Sequence, residues 1–315
     1  MLICGCFCGQ SDATKLAVEN NSAVQYHVRD PRDGSVHSVA GSGNGYRPAG
    51  GDVYFAKDQR ESINFGREPL EPGEEPPYAN FWPQEASPGA DSNGVKPGWR
   101  STVLAHQHQM LDLSARLRRL IALALGAPPD AFEPFFTRPT FQTGMVYYHP
   151  AVSDPGQAVF AIRPHADGGI FTILANDGEP GLHICPGKGV PAAERVWIPV
   201  PPRANSLVVN LGGELERWSN GRFKATLHCV VNETGRERFS LPFFFEPNLD
   251  AAVEPLPCTG EPQERWASGP ISPAQKLLRG LGLLEPEAKV ETAVGEYFHK
   301  SEAAMFTTDD EKAKL

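Results

Sequence analysis

Apolar residues recur along this chain with two different periods, and the change of period marks off its parts. Between Ser101 and Leu125 they return every three or four positions, at Met110, Leu113, Leu117, Leu120, Ile121 and Ala124. That spacing lines one side of a helix and predicts a single amphipathic helix over 101–125. Gly126 and Pro128 follow where a helix stops. From Gly144 onward the apolar stretches shorten to Met145–His149, Val159–Ile162, Ile170–Leu174, Leu182–Cys185, Val196–Val200, Leu207–Val209, Thr226–Val231 and Arg238–Phe245. Asn176-Asp177-Gly178 and Glu233-Thr234-Gly235 punctuate them as turns. Eight short strands with few helices between them predict a mainly β fold, a sandwich or jelly roll, with flanking helices.

The flanks read differently. Residues 1–45 have little periodicity and end in the loop composition Ala40-Gly41-Ser42-Gly43-Asn44-Gly45. Residues 47–99 are rich in proline and glycine and read as a wrapping loop, pinned to the core by Phe81 and Trp82. In the tail, Ser272-Pro273-Ala274-Gln275 is a capping box with proline at the first helical position, and Gly280 ends that helix. A second helix is expected after Thr292, with Val294, Tyr297, Phe298 and Met305 on one side. The resulting division is an irregular region (1–100), a helical support (101–140), the β core (141–250) and a helical tail (251–315).

Candidate chemistry gathers between Arg163 and Ser240. His165 and Asp167 stand two apart at the end of an apolar run, and i, i+2 positions on a strand share a face. His228 arrives in a second strand-like run, Lys224 to Val231. Two imidazoles and one carboxylate can hold a non-haem iron(II) with coordination positions left open. Zinc hydrolases use similar sets, so these three residues leave the metal undecided. Arg238 and Ser240, again two apart, would present a guanidinium and a hydroxyl together, suited to a carboxylate. His106 and His108 lie about 200° apart on a helix and cannot share an ion. They are expected at the surface. Lys188, in Pro186-Gly187-Lys188-Gly189, reads as a turn without the rest of a phosphate loop.

Composition narrows the partners. The chain has 315 residues, 40% of them hydrophobic and 21% charged, enough for a sizeable core. Its 29 basic and 38 acidic residues give a net charge of −9, which argues against nucleic acid and anionic membranes. No apolar run is long enough to span a bilayer, and the first residues lack a signal-peptide pattern, so a cytoplasmic location is expected. Cys4, Cys6 and Cys8 cluster without a partner motif. Cys185 and Cys229 lie in apolar runs and read as reduced core thiols.

Taken in order, these pieces resemble the 2-oxoglutarate- and iron(II)-dependent dioxygenases, in their isopenicillin N synthase-like branch. The resemblance rests on His165-x-Asp167 and on the block from Asn210 to His228 that contains Trp218-Ser219-Asn220-Gly221-Arg222-Phe223-Lys224. It continues through Arg238-x-Ser240 and Phe243-Phe244-Phe245-Glu246-Pro247, and includes Asn80-Phe81-Trp82-Pro83 ahead of the long helix. It implies a double-stranded β-helix, cupin-like, with the long helix packed outside. It implies iron(II) on His165, Asp167 and His228, and the distal carboxylate of 2-oxoglutarate on Arg238 and Ser240. Dioxygen and 2-oxoglutarate would be consumed, releasing succinate and carbon dioxide while a small organic molecule is oxidised, by default hydroxylated. An oxidase that uses no 2-oxoglutarate and a catalytically silent binding protein are the alternatives. The protein is expected to be a monomer.

Several positions depart from the family pattern. The segment before a Gly-Tyr pair, here Gly45-Tyr46, reads as shortened or replaced. Gly213 stands where an acid is common, and Cys229 where a basic residue follows the second histidine. For the Asn-x-Tyr-Pro segment that lines the cosubstrate pocket, Tyr147-Tyr148-His149-Pro150 leaves three assignments open. Tyr147 and His149 face the pocket; or a one-residue shift puts Tyr148 there; or His149 only fills core. Phe135, Phe136 and Phe243–Phe245 are read first as core, with an apolar substrate pocket as the alternative.

Overall fold

The structure, a computed structural model, describes residues 15, 25–29, 33, 36–40, 44–49, 58–69, 80–86, 95–186, 190–191, 194–266 and 269–280. Its elements run β1 (Gln25–Arg29), β2 (Val36–Ala40), β3 (Gly45–Arg47), β4 (Arg60–Gly66), α1 (Trp99–Leu125), β5 (Thr140–Tyr148), β6 (Ile162–His165), β7 (Phe171–Asn176) and β8 (Leu182–Cys185). They continue with β9 (Ile198–Pro199), β10 (Val208–Leu211), α2 (Gly213–Trp218), β11 (Leu227–Val230), β12 (Arg238–Glu246) and α3 (Pro273–Gly280). The Cys4–Cys8 cluster, Lys188 and the helix expected after Thr292 lie outside the described residues.

The eight runs expected after Gly144 correspond to β5 through β12, and every pairing among them is antiparallel. One sheet has the order β10-β7-β12-β5-β4-β3, and a second has β6-β11-β8-β9. This is the jelly roll, with β1 and β2 as a separate hairpin. One run is displaced. The strand expected over Val159–Ile162 starts only at Ile162, because Asp154 and Val159 bridge across a tight turn over Pro155–Gln157.

Alternation along the large sheet separates two faces. On β12, Phe239, Leu241, Phe243 and Phe245 join the apolar clusters that receive α1, beside Trp99, Val103, Phe136 and Trp218. The core reading of Phe136, Phe243 and Phe245 therefore holds. The even positions Arg238 and Ser240 turn inward with Val146 and Tyr148 of β5, toward Ala161, Leu182 and Val230 of the second layer. Cys185 and Cys229 are buried and in no disulfide, as expected.

The long helix forms where its periodicity requires, but its buried stripe is rotated. Trp99, Val103, Gln107, Met110, Ser114, Arg118, Ala122 and Leu125 face the sheet. Leu120 is 62% exposed, while Leu113, Leu117 and Ile121 pack along the edge of the core. Two polar members of the stripe have specific work. Gln107 donates to the Phe65 carbonyl at 3.3 Å, and Arg118 lies 4.3 Å over the Phe136 ring. A stacked guanidinium buries like an apolar group, which counting apolar residues misses. His106 is likewise half-buried rather than exposed, and burial lowers its pKa; His108 is exposed.

The loop before α1 is pinned as the sequence suggests. Trp82 stacks on Phe65 at 4.2 Å, and Arg100 lies 4.8 Å over the Trp82 ring. Gly98 and Arg100 donate backbone N–H groups to the Glu85 carboxylate, both at 2.9 Å. An acid from outside the helix thereby caps its amino end. In α3 the capping box closes reciprocally: Gln275 N–H donates to Ser272 Oγ at 3.2 Å, and Ser272 N–H to Gln275 Oε1 at 2.8 Å.

Candidate metal and cosubstrate site

His165 and His228 are direct partners in the antiparallel pairing of β6 with β11. Facing positions on adjacent strands project to the same side, and the two imidazole centroids are 4.2 Å apart. Asp167 reaches them differently from expectation. It is not on the strand but in the turn beyond it, where Gly168 and Gly169 follow. That turn lies so close to neighbouring backbone that a Cβ on Gly169 would stand 2.5 Å from the Phe245 carbonyl oxygen. A Cβ on Gly212 would collide with the Gly169 carbonyl. Glycine is required at both positions by close approach.

The three side chains offer ligand atoms within 4.8 Å of one another. Asp167 Oδ1 is 3.6 Å from His165 Nε2 and 3.8 Å from His228 Nε2. Each histidine donates its Nδ1 hydrogen to the carbonyl two residues earlier, Arg163 at 2.8 Å and Thr226 at 2.9 Å. A carbonyl only accepts, so the proton sits on Nδ1 and the Nε2 lone pair points at the common centre. Asp167 Oδ2 accepts from Thr172 Oγ1 at 2.5 Å and from Asn210 Nδ2 at 2.7 Å. Thr172 and Asn210 are themselves partners across β7 and β10. One sheet thus supplies the imidazoles, and the other orients the carboxylate.

Electrostatics match a cation at this centre. Desolvation, then the neighbouring His228 imidazole, push His165 down to about 4, so it is neutral near pH 7. Desolvation works to raise Asp167, but the two histidines and the bonds from Thr172 and Asn210 outweigh it and hold the carboxyl low. Neutral imidazoles and an ionised carboxylate are the ligand forms that a divalent metal needs.

Arg238 and Ser240 lie on the inner face of β12, both buried. Tyr148 and Ser240 share a hydrogen bond of 3.0 Å, and the Arg238 guanidinium lies 4.7 Å over the Tyr148 ring. Of the three open readings, the shifted one matches this placement. Tyr147 turns to the other face against Phe239 and His149. Arg238 donates from Nε to the Glu179 carbonyl at 3.3 Å, but its buried Nη1 has no partner among the described residues. An unpaired, buried guanidinium N–H is costly, and a carboxylate would satisfy it.

Two further clusters of charged side chains flank the triad without any signal in local spacing. Arg163 Nε pairs with Asp58 Oδ1 at 3.2 Å, with Arg60 Nε 3.9 Å from Oδ2. Burial outweighs both arginines and raises Asp58 to about 6. On the other flank, Lys276 of α3 donates to the Gly168 carbonyl at 3.0 Å and to Glu214 Oε1 at 3.1 Å. Burial raises Glu214, and burial together with Glu214 raises Glu246 to about 7.

A jelly roll with two histidines and one carboxylate converging between its layers, beside a buried arginine, defines a non-haem metal enzyme architecture. The chain belongs to the 2OG-Fe(II) oxygenase superfamily, whose family model matches residues 141–247. It is 33% identical over 249 residues to homoarginine-6-hydroxylase of Oryza sativa subsp. japonica, covering 76% of this chain and 70% of that protein. It is 34% identical over 186 residues to kihadalactone A synthase of Citrus sinensis, covering 58% of this chain and 52% of that one. The chain thus spans about half the length of some curated relatives it matches. Among solved structures, a full-length Neurospora crassa protein in complex with alpha-KG superposes with a TM-score of 0.69 at 25% identity, covering 89% of this chain and 80% of that chain. Among the described residues, no helix is long and apolar enough to cross a membrane.

Proposed function

We propose that the protein is an iron(II)- and 2-oxoglutarate-dependent dioxygenase that hydroxylates a small organic molecule while 2-oxoglutarate is converted to succinate. The observation that carries this reading is a preorganised pair of sites. Three convergent ligand atoms lie between the sheets, and an arginine with an unpartnered buried N–H faces the same interior.

In this reading His165, Asp167 and His228 hold the iron. When bound, iron supplies the oxygen chemistry and the Lewis acidity that the side chains lack. The chain's own residues do the rest. Thr172 and Asn210 hold Asp167 Oδ2, leaving Oδ1 for the metal, and the Arg163 and Thr226 carbonyls fix the histidine tautomers. Arg238, Ser240 and Tyr148 bind the distal carboxylate of 2-oxoglutarate and set the direction from which its keto acid end reaches the metal. Ala161, Leu182 and Val230 keep water from that interior.

Finer assignments belong to the same proposal. The core over 141–250, the irregular region 1–100, the support 101–140 and the tail 251–315 form one functional unit of the isopenicillin N synthase-like branch. A small-molecule substrate fits relatives whose names specify homoarginine and kihadalactone A. The net charge of −9 supports a protein that does not bind nucleic acid, and Cys185 and Cys229, in no disulfide, support a reducing cytoplasmic setting. A monomer completes the reading.

The test is succinate formation from 2-oxoglutarate by the purified full chain supplied with iron(II) and air. Release that needs both iron and oxygen supports the proposal. No release, with iron bound and a panel of amines, amino acids and terpenoids supplied, refutes it.

A further inference from the structure

Beside the triad, the geometry points to a recognition site for a small organic cation, an ammonium or a guanidinium, built from Glu246 and Glu214. This rests on the oxygenase reading for its meaning, because it names the class of substrate that reading leaves open.

Glu246 ends the inner face of β12, the face that begins with Arg238 and Ser240. Two residues earlier, Phe244 pairs with Thr172, the residue whose hydroxyl holds Asp167. Glu246 therefore lies past the metal ligands, on the side away from the cosubstrate anchor. Its side chain packs on the turn that carries Asp167, with Cγ 2.9 Å from where a Gly169 Cβ would be. Glu214 approaches the same turn through its backbone N–H, which donates to the Gly168 carbonyl at 3.0 Å.

When both acids are ionised, one lysine cannot balance them. Lys276 neutralises one acid, bonding Glu214 Oε1 and the Gly168 carbonyl. Glu214 is 2% exposed, and its second oxygen, Oε2, is buried with no partner among the described residues. The Glu246 carboxylate, partly exposed, feels Lys276 through space but makes no hydrogen bond or close ion pair among the described residues. Unpaired acceptors thus surround a single tethered lysine. A buried carboxylate oxygen without a donor is costly to keep. A cation with several N–H groups satisfies these acceptors and offsets their charge together, whereas a neutral donor leaves the charge and an anion adds to it. Such a cation would fix the substrate with its remaining carbons toward the metal ligands.

The experiment titrates the metal-free full chain with n-butylguanidinium chloride, n-butanol or sodium butyrate, followed by ligand-observed proton NMR. The guanidinium is expected to bind saturably, with n-butanol and butyrate at least tenfold weaker. Glu246→Gln should weaken guanidinium binding tenfold or more, whereas Glu237→Gln, at an exposed position, should not change it. Lys276→Gln should tighten it severalfold, by freeing Glu214. Equal guanidinium binding by wild type and Glu246→Gln, or a preference for butyrate, overturns the proposal. Loss of tightening in Lys276→Gln does the same if Glu246→Gln does not fold. None of these readouts needs iron. Failure of the oxygenase reading would instead show as absent succinate formation in the wild-type protein, with cation binding intact.

Discussion

Arg238 and Glu246 are the first and last residues of one strand, β12, and both project from its inner face. Eight steps at about 3.3 Å put them roughly 26 Å apart along the backbone. Between them Phe244 faces Thr172, which holds Asp167. A single strand therefore carries the proposed cosubstrate anchor at one end and an acid without a hydrogen-bond partner among the described residues at the other, and its link to the triad is Phe244, whose partner Thr172 holds Asp167. The order has consequences for each part.

Arg238→Ala removes a buried guanidinium whose Nη1 has no partner among the described residues. A hydrogen bond to a charged group is worth about 1.5–3 kcal/mol, so the KM for 2-oxoglutarate should rise about tenfold to a hundredfold. Steady-state succinate formation measures it. Tyr148→Phe, losing only the bond to Ser240, should raise the same KM by a smaller factor.

Asn210→Ala removes one of two donors to Asp167 Oδ2 and leaves the three ligands in place. Partners that orient ligands typically matter about 10- to 100-fold in metal affinity. Iron(II) titration of the variant should show that loss, with an unchanged circular dichroism spectrum. Wild-type affinity would mean that Thr172 alone orients Asp167.

The metal-free protein should lose stability in acid through His165. Its pKa falls to about 4 in the folded state, against an ordinary value of 6.5. Below pH 6.5 the unfolded chain takes up a proton that the folded chain refuses, so stability falls between about 6.5 and 4 as pH drops. His165→Gln should flatten that slope in urea melts at pH 7, 6 and 5. An unchanged slope would place the histidine in a more solvated setting.

Glu246 has the opposite sign. Folding raises its pKa from 4.5 to about 7, so the folded state resists its negative charge. The cost is absent below about 4.5, grows as pH rises and is complete above about 7. Glu246→Gln should therefore raise the melting temperature at pH 8 and leave it unchanged at pH 4.5. A residue kept at a cost to stability is what a binding role would demand.

Much of this arrangement was legible before folding, and the reasons for the rest are physical. The strands β5 to β12 show as short apolar runs because half of each run faces a packed layer. His165, Asp167 and His228 stood out through the block from Asn210 to His228 and Arg238-x-Ser240 around them, since His-x-Asp alone is common, and Asp167 sits in a turn rather than on a strand. Tyr148 could not be told from Tyr147, since a one-residue shift reverses which side chain faces inward, and only the pairing of Arg238 with Tyr148 decides it. The stripe of α1 was misplaced because Arg118 buries by stacking on Phe136. Glu214, Glu246 and Lys276 come from three separate elements, so no spacing along the chain announces them.

The central claim is that one interior holds both iron and 2-oxoglutarate. Anaerobic protein loaded with iron(II) and then given 2-oxoglutarate tests it most directly, by its visible metal-to-ligand charge-transfer absorption. The account predicts a band that saturates at one 2-oxoglutarate per iron in the wild type and is lost in Asp167→Ala, which should no longer bind the metal. Iron bound at one equivalent with no band at any 2-oxoglutarate concentration would contradict it.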